Sequence, residues 1–266
     1  MLKFLFLLIL SVCISSANIK NADATYEISY GIFGVMGKAN ATIKTDKNNN
    51  YTIRVKAYAT GFSKILSGNL VETYLSKGKF VNNRFQPYYF QKVTKQNDKI
   101  KTYQYKFDYN KKIINLTYTK KYKDYTQDDI ERLLNPSNSS DDYVWRTKTT
   151  KSVVKYWANE DILSLFFNIK HYISNINQTG IKQIKAVGAG SKRHGQVDII
   201  VPDKKQQQEI ANLLGQTQNI LIVKIYKDIF SSKNGELYLS LRPDGICNKS
   251  LLKDVLFFGD VIGKLK

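Results

Sequence analysis

A basic, glycine-rich segment is the part of the sequence that looks most like a site for chemistry. Residues 188–195 read Gly-Ala-Gly-Ser-Lys-Arg-His-Gly. A phosphate-binding loop needs a glycine, four further residues and then Gly-Lys-Ser/Thr, and a dinucleotide fingerprint needs a glycine three residues after Gly190; the segment meets neither requirement. Its flanks alternate as strands do, so we interpret it as a hairpin. A weaker hypothesis is that its amides bind an anion together with Lys192, Arg193 and His194.

The motifs of the common catalytic classes do not occur in the sequence. Ser-x-x-Lys spacing is found at 76–79 and 250–253, but a lysine-rich chain produces such matches by chance, and the companion motifs are missing. His171 and His194 have no spacing that indicates a triad, and two histidines and two cysteines exclude a multi-histidine or thiolate-rich metal centre. We expect no enzyme, no metal and no cofactor. A catalytic site assembled from residues distant in sequence stays open.

Aromatic residues form the second candidate site. Tyrosines and a phenylalanine recur with a period of two in residues 103–107, and a similar pair precedes them at 88–90. A buried tyrosine hydroxyl needs a hydrogen-bond partner, so this face suits a partly wet groove, although a packed core is the more common outcome. The predicted cavity lining is Tyr88, Phe90, Tyr103, Tyr105, Phe107, Leu165 and Phe166. A curved antiparallel sheet can hold one apolar ligand in such a concavity.

Strands must position these residues, because apolar and polar side chains alternate along most of the chain. Alternation is clear in residues 51–57, 101–109, 114–118, 197–201, 221–225 and 237–241, with short polar turns between several of the runs. Short connections favour antiparallel neighbours over crossovers. The sequence therefore predicts a mainly β fold: a large curved antiparallel sheet or incomplete β-barrel with one or two packed helices.

Two segments have helical periodicity. Asn159 is predicted to cap a helix in which Ile162, Leu165, Phe166 and Ile169 form one apolar stripe. The second helix is predicted over 204–214, with Ile210, Leu213 and Leu214 against the sheet. We expect the helices to lie across the concave face. Residues 135–142 read as a polar loop or linker.

The N-terminus has the pattern of a secretory signal. Lys3 precedes an apolar run over residues 4–14, and small residues follow, which predicts a signal peptide over 1–17 with cleavage as late as residue 24. The run is too short for a transmembrane anchor. Lipoprotein anchoring at Cys13 is disfavoured because Val12 is bulky. We expect a periplasmic protein with a single β-rich domain over 25–266, in which Cys247 is the remaining thiol and is partly buried.

The charge is strongly positive, with 41 Lys and Arg against 22 Asp and Glu and a net charge of +19. The lysines are spread along the whole chain rather than clustered, which argues against nucleic acid as the partner. We interpret them as a solvated coat on outward-facing strand positions. Such a coat also favours anionic envelope surfaces.

Three stretches resemble one family. Residues 26–39, the Asp-x-Leu-Ser segment at 161–167, and the ending at 237–265 resemble the opening strands, central helix and closing strands of the secreted bacterial domain-of-unknown-function 3108 family. The resemblance covers nearly all of the chain after the signal, and the lysine and asparagine content and the polar middle over 127–151 depart from it. It implies an exported, β-rich envelope protein. The family has no established catalytic residues, so none is carried over.

These observations predict a non-enzymatic periplasmic protein that binds or handles a lipid or other apolar or amphiphilic envelope molecule. One alternative is an interaction or assembly module with an envelope protein partner. Another is a hydrolase of envelope polymers, which would require two carboxylates or a Ser–His pair to converge in a cleft.

Overall fold

The computed structural model describes residues 21–124, 144–173, 178–190, 192–215, 219–226, 235–243, 246–255 and 259–266. The predicted signal peptide and the predicted linker over 135–142 lie outside these ranges. The described residues form one fifteen-stranded sheet with short helices, and the predicted mainly β fold is confirmed.

The strands are β1 (Asn21–Tyr30), β2 (Val35–Thr45), β3 (Asn50–Ala59), β4 (Val71–Val81), β5 (Arg84–Gln96), β6 (Lys99–Asp108), β7 (Ile113–Asp124), β8 (Val144–Val153), β9 (Glu160–Asp161), β10 (Gly180–Val187), β11 (Gln196–Val201), β12 (Ile220–Ile225), β13 (Glu236–Leu241), β14 (Cys247–Val255) and β15 (Gly259–Leu265). The helices are α1 (Gly61–Leu66), α2 (Ile162–Phe167), α3 (Ile169–Tyr172) and α4 (Lys204–Leu214), with single 3-10 turns at Gly31–Phe33 and Lys192–Gly195.

Asparagine-rich turns set the register of the long hairpins. Asn82 and Asn83 both have positive φ between the paired residues Val81 and Arg84, as a two-residue hairpin turn of matching twist requires. Asn97 also has positive φ, in the two-residue turn between the paired residues Gln96 and Lys99 of β5 and β6. Because these turns fix which residues lie opposite one another, they also fix which side chains share a face of the sheet.

The sheet curls back so that one of its ends meets its own middle. The strand order is β8-β7-β6-β5-β4-β3-β2-β1-β15-β14-β13-β12-β11-β10-β9. Every neighbouring pair is antiparallel except β9 and β10, which are parallel. The terminal strand β9 lies against β5, three strands in from the opposite end. The strands from β5 round to β9 thus enclose most of the core, to which β6 and β7 add Phe107 and Ile114. The rest of β6 and β7, together with β8, extends beyond the enclosure.

Helix α2 fills the enclosed space, and all six of its residues are buried. Its cap differs from the prediction: the capping residue is Asp161 rather than Asn159, whose side chain instead accepts a hydrogen bond from Trp157. The cause is local, since Asp161 and Ser164 have the three-residue spacing of a reciprocal capping box.

Helix α4 confirms the helix predicted over 204–214 but lies on the outer face of the sheet. Ile210 and Leu214 pack with Ile220 and Ile222, whereas Leu221 belongs to the enclosed core. Neighbouring residues of a strand point to opposite faces, so α4 covers the convex side. The expectation that the helices share the concave face was wrong for this helix, and Leu213 is exposed rather than packed.

Gly78 on β4 makes room for a buried tyrosine. It lies opposite Tyr51 at a bulge, and a Cβ atom added to it would lie 2.0 Å from the carbonyl oxygen of Gln86 and 2.5 Å from the Tyr51 ring. The Tyr51 hydroxyl lies 3.0 Å from the hydroxyl of Ser76. The glycine therefore positions a ring that takes part in the polar contacts described below.

We expect Gly78→Ala to destabilise the fold by about 1–3 kcal/mol, because the strand backbone must move to accept the methyl group. Gly180→Ala on β10 is the matched control, since a Cβ at that position meets nothing within 4 Å. Urea unfolding of both variants measures the difference. Equal midpoints would contradict this account of Gly78.

Candidate functional site

Two adjacent carboxylates close the sheet. Asp161 Oδ1 accepts hydrogen bonds from the backbone amides of Leu163 (2.8 Å) and Ser164 (2.9 Å), and its own amide donates to the Ser164 hydroxyl (2.9 Å). Asp161 Oδ2 accepts from the Ser76 hydroxyl on β4 at 2.5 Å. One side chain thus begins helix α2 and ties it to the middle of the sheet.

Glu160 makes the second set of contacts. Its oxygens accept hydrogen bonds from the hydroxyls of Ser164 (2.6 Å) and Tyr172 (2.5 Å) and from the Asn168 amide (2.9 and 3.0 Å). Arg84 on β5 adds an ion pair at 3.4 Å. We call the group of Glu160, Asp161, Ser164, Asn168, Ser76 and Arg84 the carboxylate latch.

The side chain of Asn168 completes the latch by pairing with the backbone of β5, as the backbone of a neighbouring strand would. Its side-chain amide donates to the carbonyl oxygen of Phe85 and accepts from the Phe85 amide, both at 2.9 Å. The pairing of β5 with β6 begins at Tyr89, so Phe85 has no residue of β6 opposite it. The asparagine satisfies the backbone of β5 where the neighbouring strand has ended.

Burial raises the pKa of both carboxyl groups. That of Asp161 rises from 3.8 to about 7, because burial outweighs the hydrogen bonds that favour the charged form. The pKa of Glu160 is also raised, mainly by burial. Two carboxylates do converge, as the hydrolase hypothesis requires. However, both are buried and accept hydrogen bonds from the protein itself, which gives them a structural role.

A different surface continues the core face beyond the enclosure, on β6, β7 and β8. Phe90 in the core lies opposite Tyr105, which lies opposite Leu116. The next row outward places Lys92, Tyr103, Tyr118 and Thr150 side by side, and the row after it places Thr94, Lys101, Lys120 and Lys148 side by side. We call the surface made by Tyr103, Tyr118, Lys101, Lys120 and Lys148 the lysine–tyrosine face.

Its tyrosine rings pack against each other and remain half-buried. The ring centroids of Tyr103 and Tyr118 lie 4.7 Å apart. Burial and the neighbouring Tyr118 raise the pKa of Tyr103, so its hydroxyl stays protonated near neutral pH. This part of the face offers ring surface together with hydroxyl groups.

The three lysines form a ladder of like charges. Lys101 lies directly opposite Lys120, and Lys120 directly opposite Lys148. Like charges placed opposite each other on adjacent strands are destabilising. Among the described residues, the ion pairs between side chains involve none of the three, although the Lys120 ammonium lies 4.6 Å from the centre of the Tyr122 ring. The ladder is suited to an anion that contacts several ammonium groups.

The predicted cavity-lining residues divide into three groups. Phe90, Leu165 and Phe166 are at most 1% exposed, so they belong to a packed core that nothing the size of water reaches. Tyr103, Tyr105 and Phe107 follow one another on the inner face of β6, where Tyr103 and Tyr105 stay partly exposed.

Tyr88 does not share that face. The register of β4 and β5 shifts at this point, so that Lys77 pairs with Tyr89 and Gly78 with Pro87. Tyr88 is therefore the extra residue of a β-bulge, and its side chain is exposed.

The basic hairpin joins β10 to β11, as its flanks predicted. The Arg193 guanidinium lies over the Tyr226 ring at 3.9 Å, and the His194 ring stacks on Tyr156. Arg193 and His194 both adopt positive φ. The two side chains thus contact rings of the protein itself. The side chain of Lys192 is outside the described part of the structure.

The sequence prediction missed the lysine ladder and the latch. The lysines as a whole were expected on outward-facing positions, and the structure places Lys101, Lys120 and Lys148 on the inner face. The signal was present: the short turn after β6 sets a register in which Lys101 and Lys120 must pair.

Within the described ranges, no three His, Cys, Asp or Glu side chains are arranged to hold a metal ion. The helices of the same ranges all lack the length and apolar character needed to cross a bilayer.

The latch predicts an unusual pH dependence. The folded protein holds the Asp161 proton more tightly than the unfolded chain, so this group's contribution to stability falls as pH rises from about 4 to about 7. Asparagine cannot ionise and keeps the acceptor oxygen. We expect the free energy of unfolding of Asp161→Asn, minus that of the parent, to rise over this range by up to about 4 kcal/mol.

Asp46→Asn is the control with the opposite sign. Hydrogen bonds from Asn50 lower the pKa of Asp46, so its stabilising contribution is present at neutral pH and lost in acid. Urea unfolding from pH 4 to pH 8 measures the difference for Asp161→Asn, and its extension below pH 4 measures that for Asp46→Asn. A difference between Asp161→Asn and the parent that does not change with pH would exclude the raised pKa of Asp161.

The comparisons with known proteins place the chain in a family. The crystal structure of a beta-barrel-like protein of domain of unknown function DUF1849 from Brucella abortus is similar with a TM-score of 0.44 and 11% sequence identity, over 94% of this chain and 98% of that one. Curated proteins give no match. The family described as "Protein of unknown function (DUF3108)" matches residues 25–162, from β1 to the start of α2, which is more than half of the 266 residues. The chain therefore belongs to the DUF3108 family.

Proposed function

We propose that this protein binds an amphiphile with an anionic headgroup on the lysine–tyrosine face, and that it does so as an exported protein of the cell envelope. The observation that carries the proposal is the ladder formed by Lys101, Lys120 and Lys148 next to the paired rings of Tyr103 and Tyr118. Export is supported by the signal-like pattern of the N-terminus.

The two parts of the face suit the two parts of an amphiphile. The Cβ atoms of lysines that lie opposite each other on adjacent strands are about 5 Å apart. One phosphate or carboxylate can therefore contact more than one of their ammonium groups. The half-buried tyrosine rings offer apolar surface beside this site, together with their hydroxyl groups. The face adjoins the packed core through Tyr105 and Phe90, whose ring centroids lie 5.7 Å apart.

A stability argument also supports a binding role. Three lysines in register weaken the sheet locally, whereas neutral side chains at the same positions would not. Positions that lower stability without serving the fold are typical of functional sites. The carboxylate latch shows the contrast, since every group in it has partners within the protein.

Dodecyl phosphate below its micelle-forming concentration is the probe that tests the proposal. We expect the protein to bind it in a calorimetric titration, and to bind inorganic phosphate and dodecyl maltoside at least about tenfold more weakly, because each provides only one part of the interaction. Lys101→Gln/Lys120→Gln/Lys148→Gln should weaken dodecyl phosphate binding about tenfold or more. The same variant should be no less stable in urea unfolding.

The matched control is Lys106→Gln/Lys121→Gln/Lys151→Gln. It removes the same charge from the same three strands, but on the opposite face. Equal loss of binding in both triple variants would reduce the effect to net charge and overturn the assigned site. Failure of the parent to bind dodecyl phosphate would overturn the function itself.

A further inference from the structure

Helix α1 exposes its large apolar side chains and buries a serine. Phe62, Ile65 and Leu66 are 69%, 74% and 51% exposed, whereas Ser63 is its buried residue. A surface helix of a soluble protein normally has the reverse arrangement. The apolar side chains of α1 therefore contribute little to the core.

Polar contacts hold this inverted helix in place. The Ser63 hydroxyl lies within hydrogen-bond distance of the carbonyl oxygens of Thr60 and Met36, and the Thr60 amide donates to the Met36 carbonyl at 3.0 Å. After the helix, the Asn97 amide donates to the Gly68 carbonyl at 2.7 Å. The helix is thus fixed between β2 and the turn that joins β5 to β6.

The start of strand β2 extends the exposed apolar surface. Val35 begins β2 directly before Met36 and is 48% exposed. We call Val35, Phe62, Ile65 and Leu66 the apolar rim. Other large apolar residues that are exposed, such as Ile181 and Leu213, lie on separate elements. Exposed apolar side chains that cluster at one place usually mark a surface for binding.

We propose that the apolar rim inserts into the headgroup region of an anionic lipid bilayer and docks the protein there. Lys64 is exposed within the rim itself, and Lys95 and Lys99 lie on either side of the turn that bonds to Gly68. Helices that lie in a membrane interface combine Phe and Leu with lysines in this way, because the ammonium groups reach the phosphates while the apolar groups enter the acyl region. A net charge of +19 adds attraction to an anionic surface.

Flotation with phosphatidylcholine vesicles that contain phosphatidylglycerol tests the docking. We expect the parent to bind them, and Phe62→Ser/Ile65→Ser to bind at least about tenfold more weakly, because two apolar side chains no longer leave water. Ile181→Ser/Leu213→Ser removes two other exposed apolar side chains, on separate elements, and should bind as the parent does. Equal binding by all three proteins would overturn the proposal.

A tryptophan at the rim gives a second measurement. In Phe62→Trp, the added emission should shift to shorter wavelength with these vesicles and be quenched by lipids that carry a spin label on the acyl chain. The spectrum of the parent supplies the background of the native tryptophans, and Leu213→Trp should not respond. A response from Leu213→Trp but not from Phe62→Trp would place the membrane on another face. Self-association of the parent that is lost in Phe62→Ser/Ile65→Ser would assign the rim to a second copy of the chain.

The apolar rim and the lysine–tyrosine face are separate surfaces, and their binding can be tested independently. Phe62→Ser/Ile65→Ser should keep its affinity for dodecyl phosphate, since the substitutions leave Lys101, Lys120 and Lys148 in place. A parent protein that docks on vesicles but binds no dodecyl phosphate would support the rim and refute the proposed function. A parent protein that binds dodecyl phosphate but does not dock on vesicles would support the proposed function and refute the docking by the rim.

Discussion

The closure of the sheet depends on burying two adjacent carboxylates without leaving any of their oxygens unsatisfied. Removing an ionised carboxylate from water is expensive unless hydrogen bonds or ion pairs replace the lost hydration. Here the replacement comes from three parts of the fold: the first turn of α2 supplies amides to Asp161, β4 supplies the Ser76 hydroxyl, and β5 supplies Arg84 to Glu160. The Ser76 hydroxyl and the Arg84 guanidinium are in place only when the end of the sheet has reached its middle. The latch therefore links local helix formation to the global curvature of the sheet.

The position of the latch decides which surface remains open. Because β9 meets β4 and β5 rather than the edge strand β8, most of the inner face of β6 to β8 continues the core face outside the enclosure. If β9 met β8 instead, the sheet would close into a full barrel, and Lys101 and Lys120 would face an apolar interior. The lysine–tyrosine face can exist only because the sheet closes early. The buried carboxylates thus shape the candidate binding surface without touching it.

Much of the fold could be predicted from the sequence, because a period of two and asparagine-rich turns are local signals. The alternating runs around Tyr51, Tyr103 and Leu237 all became strands of the sheet. The latch could not be predicted, since Asp161 and Ser76 are 85 residues apart and only the curvature of the whole sheet brings them together. Tyr88 was misplaced for a smaller reason: one bulge reverses the alternation, and its local signal was Pro87, since a proline inside a strand is confined to edges and bulges. The ladder of lysines lay within reach of prediction, but it required pairing two strands through their turn rather than considering each strand alone.

Three features of this protein oppose its stability. One of them is compensated by contacts within the fold, and the other two belong to the surfaces for which we propose binding. The buried carboxylates are compensated within the fold, since hydroxyls, amides and a guanidinium surround them. The lysine ladder and the outward-facing apolar side chains of α1 have no such compensation among the described residues: no carboxylate pairs with the ladder, and the side chains of Phe62 and Ile65 stay mostly in water. In the proposals made above, an anionic group would supply what the ladder lacks, and a bilayer interface would supply what the rim lacks. Lys99, two residues before Lys101, adjoins the turn that bonds to the α1 loop, so both surfaces lie near the same end of the sheet. A protein docked by the rim would hold the lysine–tyrosine face close to the headgroups of the membrane, where anionic amphiphiles are found.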